Sequence, residues 1–160
     1  MNAPYTPESL MRLAIEKALE GMERGQSPFG CAIALGDRLI ACDHNGVLAG
    51  PDATAHAEIT ALRSACRHEG HYLLEGALVA STCEPCPMCM AALHWARVDT
   101  VVYGASIDDA AAAGFNELAI PAAQIVQLGR SRVQLQGGVL REECRALFDR
   151  WKERPDAVAY

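Results

Sequence analysis

Lysine is almost missing from this chain. Lys17 and Lys152 are the only two, and arginine brings the basic total to 14 against 20 acidic residues. A formal net charge of −6 leaves no broad basic face for a polyanion, so nucleic acid is not expected as a partner, although arginines can still cluster locally. No apolar run approaches the ~20 residues of a membrane helix, and the first residues lack the basic, apolar and small-residue succession of a secretion signal. Disulfide scaffolding is also not expected, because the seven cysteines are an odd number and no export signal accompanies them. Reduced thiols in a cytoplasmic protein are the expectation. Repeats, low-complexity tracts and linkers are absent too, so the 160 residues read as one domain, 1–160, long enough for a full core.

What remains alternates between strand and helix signals. Thr6-Pro7-Glu8 opens a helix, with Thr as cap and Pro in the first turn, and Met11, Ile15, Ala18 and Met22 recur on one face up to Gly25. Residues 31–35 and 38–43 read as strands joined by Gly36-Asp37, a two-residue hairpin loop. A helix is expected over about 54–68, capped by Thr54, with Ala55, Ile59, Leu62 and Cys66 as its apolar stripe. Leu78–Ser81 is a short strand leading to a helix over about 86–97, in which Ala91, Ala92 and Ala96 permit close packing against its neighbour. Thr100–Tyr103 is a buried strand, Asp108-Asp109 cap a short alanine-rich helix ending at Gly114, and Val133–Leu135 is a further strand. The last helix, about 140–153, carries Leu140, Cys144, Leu147, Phe148 and Trp151 on one face. An antiparallel hairpin followed by helical crossovers implies an α/β fold, a three-layer α/β/α sandwich on a mixed five-stranded sheet.

Two stretches carry chemistry, His56-Ala57-Glu58 and Pro85-Cys86-Pro87-Met88-Cys89. A catalytic zinc takes three protein ligands and keeps one position for water, and His56, Cys86 and Cys89 make three. Two thiolates balance the metal charge, and water at such a centre ionises near pH ~7 instead of ~15.7. Cys86 and Cys89 share a helix face at a spacing of three, and the start of a helix favours thiolate. His56 and Glu58 diverge by roughly 200° on a regular helix, so both reach one metal only if the helix end points at it. Glu58, unliganded, is left to move protons. Two other arrangements use the same residues: a Cys83/Cys86 pair, or a structural zinc on Cys86, Cys89 and His94.

The order H-x-E then P-C-x-x-C is the signature of zinc-dependent nucleobase deaminases. The sequence resembles the cytidine deaminase-like superfamily over nearly its whole length, and within it the bacterial guanine deaminases. The resemblance is carried by Pro28-Phe29-Gly30, Thr54–Thr60, Cys83–Cys89 with Trp95-Ala96-Arg97, Asp109-Ala110 with Gly114-Phe115, and Tyr160. It departs at Ser27, where glycine is common, and at Asn116-Glu117, where two acids often follow Gly-Phe. The resemblance implies one Zn2+ per subunit on His56, Cys86 and Cys89, with Glu58 as proton shuttle. It further implies that Asn45 hydrogen-bonds a purine and that Glu117 binds the guanine edge or shuttles the second proton. Phe29, at the mouth of the first strand, reads equally as a ring that stacks on the base or as a core aromatic, and Trp95 is a further candidate substrate contact. The resemblance also implies a small-molecule nucleobase substrate and a homodimer in which the segment from about 138 to 160 is exchanged, so that Tyr160 closes the partner subunit's pocket. The reaction it implies is hydrolytic deamination of guanine to xanthine. Other bases or nucleosides, tRNA adenosine, or a zinc-stabilised protein without catalysis are the competing readings.

Overall fold

Alternate residues of each central strand pack to opposite faces of one sheet, and helices cover both. The computed structural model describes residues 5–160. Its elements are α1 Pro7–Glu23, β1 Gly30–Leu35, β2 Arg38–His44, α2 Ala57–Glu69, β3 Ala77–Cys83, α3 Pro87–Trp95, β4 Thr100–Ala105, α4 Ile107–Ala112, α5 Ala122–Leu128, β5 Gln134–Gln136 and α6 Arg141–Lys152. The sheet order is β2-β1-β3-β4-β5. β1 pairs antiparallel with both β2 and β3, while β3/β4 and β4/β5 are parallel. On one face Ala32, Ala34, Ala80 and Val102 meet α1 and α6. On the other, Cys31, Ile33, Val79 and Val101 meet α2 and α3. This is the expected three-layer sandwich on a mixed five-stranded sheet.

α1 starts where Thr6 Oγ1 accepts from Ser9 N (3.1 Å) and Ser9 Oγ accepts in return from Thr6 N (2.8 Å), with Pro7 at the first helical position. The helix lies so close to β1 that a Cβ at Gly30 would collide with the carbonyl of Ala14. This close approach sets the first strand, and with it the mouth of the cavity described below.

Several boundaries differ from the sequence expectation, each for a local reason. Thr54 does not cap α2. Its backbone N and Oγ1 both donate to Asp52 Oδ1, at 2.8 and 2.7 Å, and this turn delays the helix to Ala57 with His56 as its N-cap. The buried face of α2 is therefore Ala57, Ala61, Leu62 and Ala65, while Ile59 and Cys66 are half-buried. Likewise Cys86 caps α3 from outside and the helix begins at Pro87. Ala91 on α3 is exposed, while Ala96, the C-cap of that helix, is buried, and Ala57, Ala61 and Ala65 of α2 share one core cluster with Met90 and Leu93 of α3. α4 is capped by Ser106, with Asp109 completing the reciprocal bond instead of starting the helix. α5 has no expected counterpart.

The far end of α2 is tied to β2 by Arg38, whose Nη1 and Nη2 each donate to a Glu69 carboxylate oxygen at 2.9 Å. The Arg38 guanidinium, with His68 adding to it, holds Glu69 down at about 2 from an ordinary 4.5. A depressed folded value means stability that is present above about pH 4.5 and lost as pH falls toward 2. Replacing Glu69 by Gln should therefore flatten the acid limb of a stability–pH curve in that window. Denaturant unfolding across the range checks this, and an unchanged limb would contradict it. Among the described residues no helix is long and apolar enough to cross a membrane.

Candidate active site

Two helix N-termini meet at the carboxyl end of the parallel strands, and the ligand candidates stand at those ends. His56 caps α2 in an extended conformation (φ −61°, ψ 155°). Because His56 lies outside the helix and Glu58 inside its first turn, the divergence expected of an i, i+2 pair is removed, and both side chains face one cleft. Cys86 caps α3, also extended, and Cys89 sits in its first turn. Neither helix start is closed by a side-chain cap, so their free N–H groups and dipoles favour negative charge here.

The Sγ atoms of Cys86 and Cys89 both lie 3.6 Å from His56 Nδ1. A tetrahedral zinc with Zn–S near 2.3 Å and Zn–N near 2.0–2.1 Å places sulfur and nitrogen about 3.5–3.6 Å apart. The thiol–imidazole set therefore has zinc's donor types at zinc's spacing. Among the described residues this three-membered group is the one cluster of histidine, cysteine and carboxylate donors able to hold a metal, and zinc is the cofactor of this site. The rival pairings are set aside by position. Cys83 Sγ points to Ser106 O (3.6 Å), and His94 lies on the outer side of α3 against Ser131 Oγ (2.9 Å).

Glu58 is buried beside the ligands with Oε2 3.5 Å from Cys89 Sγ, while Oε1 accepts from Ser81 Oγ at 3.0 Å. Burial pushes its carboxyl upward despite the pull of His56. That is the direction a proton shuttle requires. Cys86 is held down to about 4, chiefly because the Cys89 thiol donates to it, with His56 adding to the effect. The same shared proton, together with burial, pushes Cys89 upward. Burial opposes the His56 cation, but the Cys86 sulfur and Glu58 outweigh it and raise its value.

The cleft above these groups is lined by Phe29, Asn45, Glu58, Phe115, Glu117 and Tyr160 together with the ligands, Cys83 and Glu84. Asn45 is fully buried. Its Nδ2 donates to the Tyr160 hydroxyl (2.7 Å) and its Oδ1 accepts from Val47 N (3.1 Å). Tyr160 stands edge-on to Phe115 at 5.7 Å and tilted to His56 at 6.5 Å. In the single chain this tyrosine seats in the chain's own cleft. Phe29 combines two expected roles, lining the cleft and packing edge-on to Phe115 at 4.9 Å and Phe148 at 5.8 Å. Glu117 is half-buried over the cleft and not the solvated loop acid its setting suggests, and burial raises its carboxyl. Trp95 is not part of the cleft. It is 77% exposed at the far end of α3, against His94, because nine helical residues carry it away from the ligand end. Glu84 and Ser81 were not singled out in the sequence. The nearest sequence signal is position alone, Glu84 two residues before Cys86 and Ser81 on the strand that leads to it.

Comparison with known proteins agrees with this geometry. Residues 4–105 match the family described as the cytidine and deoxycytidylate deaminase zinc-binding region. A guanine deaminase of Bacillus subtilis is 43% identical over 111 residues, 69% of this chain and 71% of that protein. A tRNA-specific adenosine deaminase of the same organism is 34% identical over 139 residues, 86% of this chain and 83% of that protein. The solved guanine deaminase from Nitrosomonas europaea superposes with a TM-score of 0.83 at 29% identity, over 91% of this chain and 84% of that one.

Proposed function

This chain belongs to the cytidine and deoxycytidylate deaminase family of zinc-dependent hydrolytic enzymes, and from that premise we propose that it removes the amino group of free guanine, giving xanthine and ammonia. The observation that carries the choice of base is the closure of the cleft: Glu117 stands over it, and Tyr160, held by Asn45, covers it. A cover of this kind favours a small free base over a nucleoside within an RNA strand, which needs an open exit for its sugar. Likeness to a guanine deaminase supports the same reading. The negative net charge works against RNA, whose phosphates attract Lys and Arg.

When bound to His56, Cys86 and Cys89, zinc supplies a Lewis-acidic centre at which water ionises near neutral pH. The chain's own residues do the rest. Ser81 fixes one Glu58 oxygen, leaving the other free to take a proton from the attacking water. Water adds at C2, the carbon bearing the amino group, and Glu58 returns the proton to the adjacent ring nitrogen. The proton of the hydroxyl now on C2 passes to the exocyclic nitrogen, the C2–N bond breaks, and ammonia leaves as the C2 carbonyl of xanthine forms. Glu117 accepts from the donor N–H groups of the guanine edge and is placed to assist that second transfer. Phe29 and Phe115 form apolar walls for the ring.

The tRNA adenosine reading keeps support of its own, in several tRNA-specific adenosine deaminases aligned over up to 88% of this chain and in a solved tRNA:A34 deaminase that superposes with a TM-score of 0.75. Glu117 separates the two, because adenine presents no N1–H for a carboxylate to bind. Glu117→Gln should lower kcat/KM for guanine roughly 10- to 100-fold, the scale of one hydrogen bond to a charged group, with zinc retained. Steady-state kinetics on guanine test this, and unchanged constants would return Glu117 to a bystander.

A further inference from the structure

Glu84 is a buried carboxylate that the chemistry above does not use. It lies in the turn between β3 and α3, 8% exposed, with no basic side chain bonded to it among the described residues. Its two oxygens go to two separate backbone groups. Oε2 accepts from Ile107 N (3.0 Å), the first residue of α4, and Oε1 accepts from Ala122 N (2.8 Å), the first residue of α5. Its own N–H donates to Ala105 O (2.8 Å), at the end of β4.

These two contacts are the feet of one arch. From Ile107 the chain runs through α4, crosses the cleft over residues 113–121 and lands at Ala122. The crossing carries Phe115 and Glu117, both on the cleft wall. Asn116 and residues 118–120 are exposed, and the crown's one backbone tie to the C-terminal tail is Asn116 N to Tyr160 O (2.9 Å). The landing also needs an acceptor from elsewhere. Pro121 caps α5 and offers no side-chain bond, so without Glu84 the buried N–H of Ala122 would be unpaired, which is costly. α4's start is likewise only half closed, since Ser106 Oγ serves Asp109 N and leaves Ile107 N to Glu84.

We propose that Glu84 is a positioning residue for substrate selection. One carboxylate holds both feet of the arch, Ile107 at the start of α4 and Ala122 at the start of α5, and so sets where the crossing 113–121 carries Glu117 over the base. The inference rests on the reading of Glu117 as the guanine-edge acid. Because Glu84 precedes Cys86 by two residues, it also fixes the arch in register with the metal ligands.

Glu84→Gln tests it with little change of shape, since an amide has one oxygen to accept with and turns an NH2 group toward the other foot. Glu84→Ala removes both acceptors. The zinc-loaded variants should keep one zinc per chain and unchanged hydrogen exchange in α2 and α3. Exchange across 113–122 should rise, by roughly tenfold for Gln and more for Ala, the scale of one lost charge-assisted bond. The guanine KM should rise by roughly the same factor in Glu84→Gln while kcat changes less than about threefold. In a Glu117→Gln background, Glu84→Gln should add less than about twofold to KM, because both changes act on one contact. Unchanged exchange across the arch in both Glu84 variants would overturn the proposal, as would KM effects that multiply in the double variant. If Glu117→Gln alone leaves guanine kinetics unchanged, the guanine reading of Glu117 falls, and Glu84's hold on the arch is decided by the exchange result.

Discussion

Glu58→Gln should bind one zinc per chain as the parent does and lose roughly 10²- to 10⁴-fold in kcat, the usual worth of a positioned general acid–base group. The two halves of that result come from separate features of the structure. Zinc is retained because the metal group consists of His56, Cys86 and Cys89, with Glu58 alongside and not within it. The amide can still accept from Ser81 Oγ, which lies 3.0 Å from the present carboxylate, so the side chain keeps its place. Turnover is lost because an amide cannot take and return a proton. Metal analysis and ammonia release on the same sample check both halves. Parent-like turnover would remove Glu58 from the mechanism, and loss of the metal would make it a ligand.

Cys89→Ala should behave in the opposite way, with zinc and turnover lost together. Cys89 is fully buried, lies 3.6 Å from the donor nitrogen of His56, and supplies one of only two thiolates in the group. A metal that binds the folded state alone adds RT ln(1 + [L]/Kd), about 4 kcal/mol at a thousandfold excess over Kd. In a chain of this length that corresponds to a fall of roughly 10 °C in Tm. The variant should therefore melt near chelator-treated parent protein, and added zinc should restore the parent but not the variant. Thermal unfolding with and without chelator measures this. A Cys89→Ala protein holding one zinc and turning over normally would refute the ligand set.

The metal site was almost fully legible in the sequence because its donors are close in the chain and chemically distinctive. His56, Cys86 and Cys89 were named by two short motifs, and structure added only why they converge: His56 and Cys86 are caps, outside their helices. The sandwich was legible for a similar reason, since the short apolar runs of β1, β3 and β4 are a local pattern. The places where the reading was incomplete are those decided by long-range contact. Nothing near Glu117 marks it as half-buried, and its position depends on an arch anchored to Glu84, 33 residues earlier in the numbering. α5 is hard to read in the sequence because it is only seven residues long and opens on Pro121 with no side-chain cap, so its Ala122, Ile125 and Val126 stripe spans barely more than one turn. Trp95 stands in the same stretch as the ligands, yet the nine residues of α3 carry it to the far, exposed end of that helix. Thr54 is drawn into a turn by Asp52, which accepts from both its N and its Oγ1, and the cap position falls to His56, a competition that composition alone does not rank.

The most direct measurement is ammonia release by the zinc-loaded chain from guanine, guanosine, adenine, cytosine, cytidine and a tRNA anticodon stem-loop under one set of conditions. The account predicts the highest kcat/KM for guanine, with xanthine formed in equal amount to ammonia and every other substrate at least about a hundredfold poorer, as expected of a site that pairs buried polar groups with one base edge. Guanine left intact while the stem-loop adenosine or a cytosine compound is deaminated would contradict it.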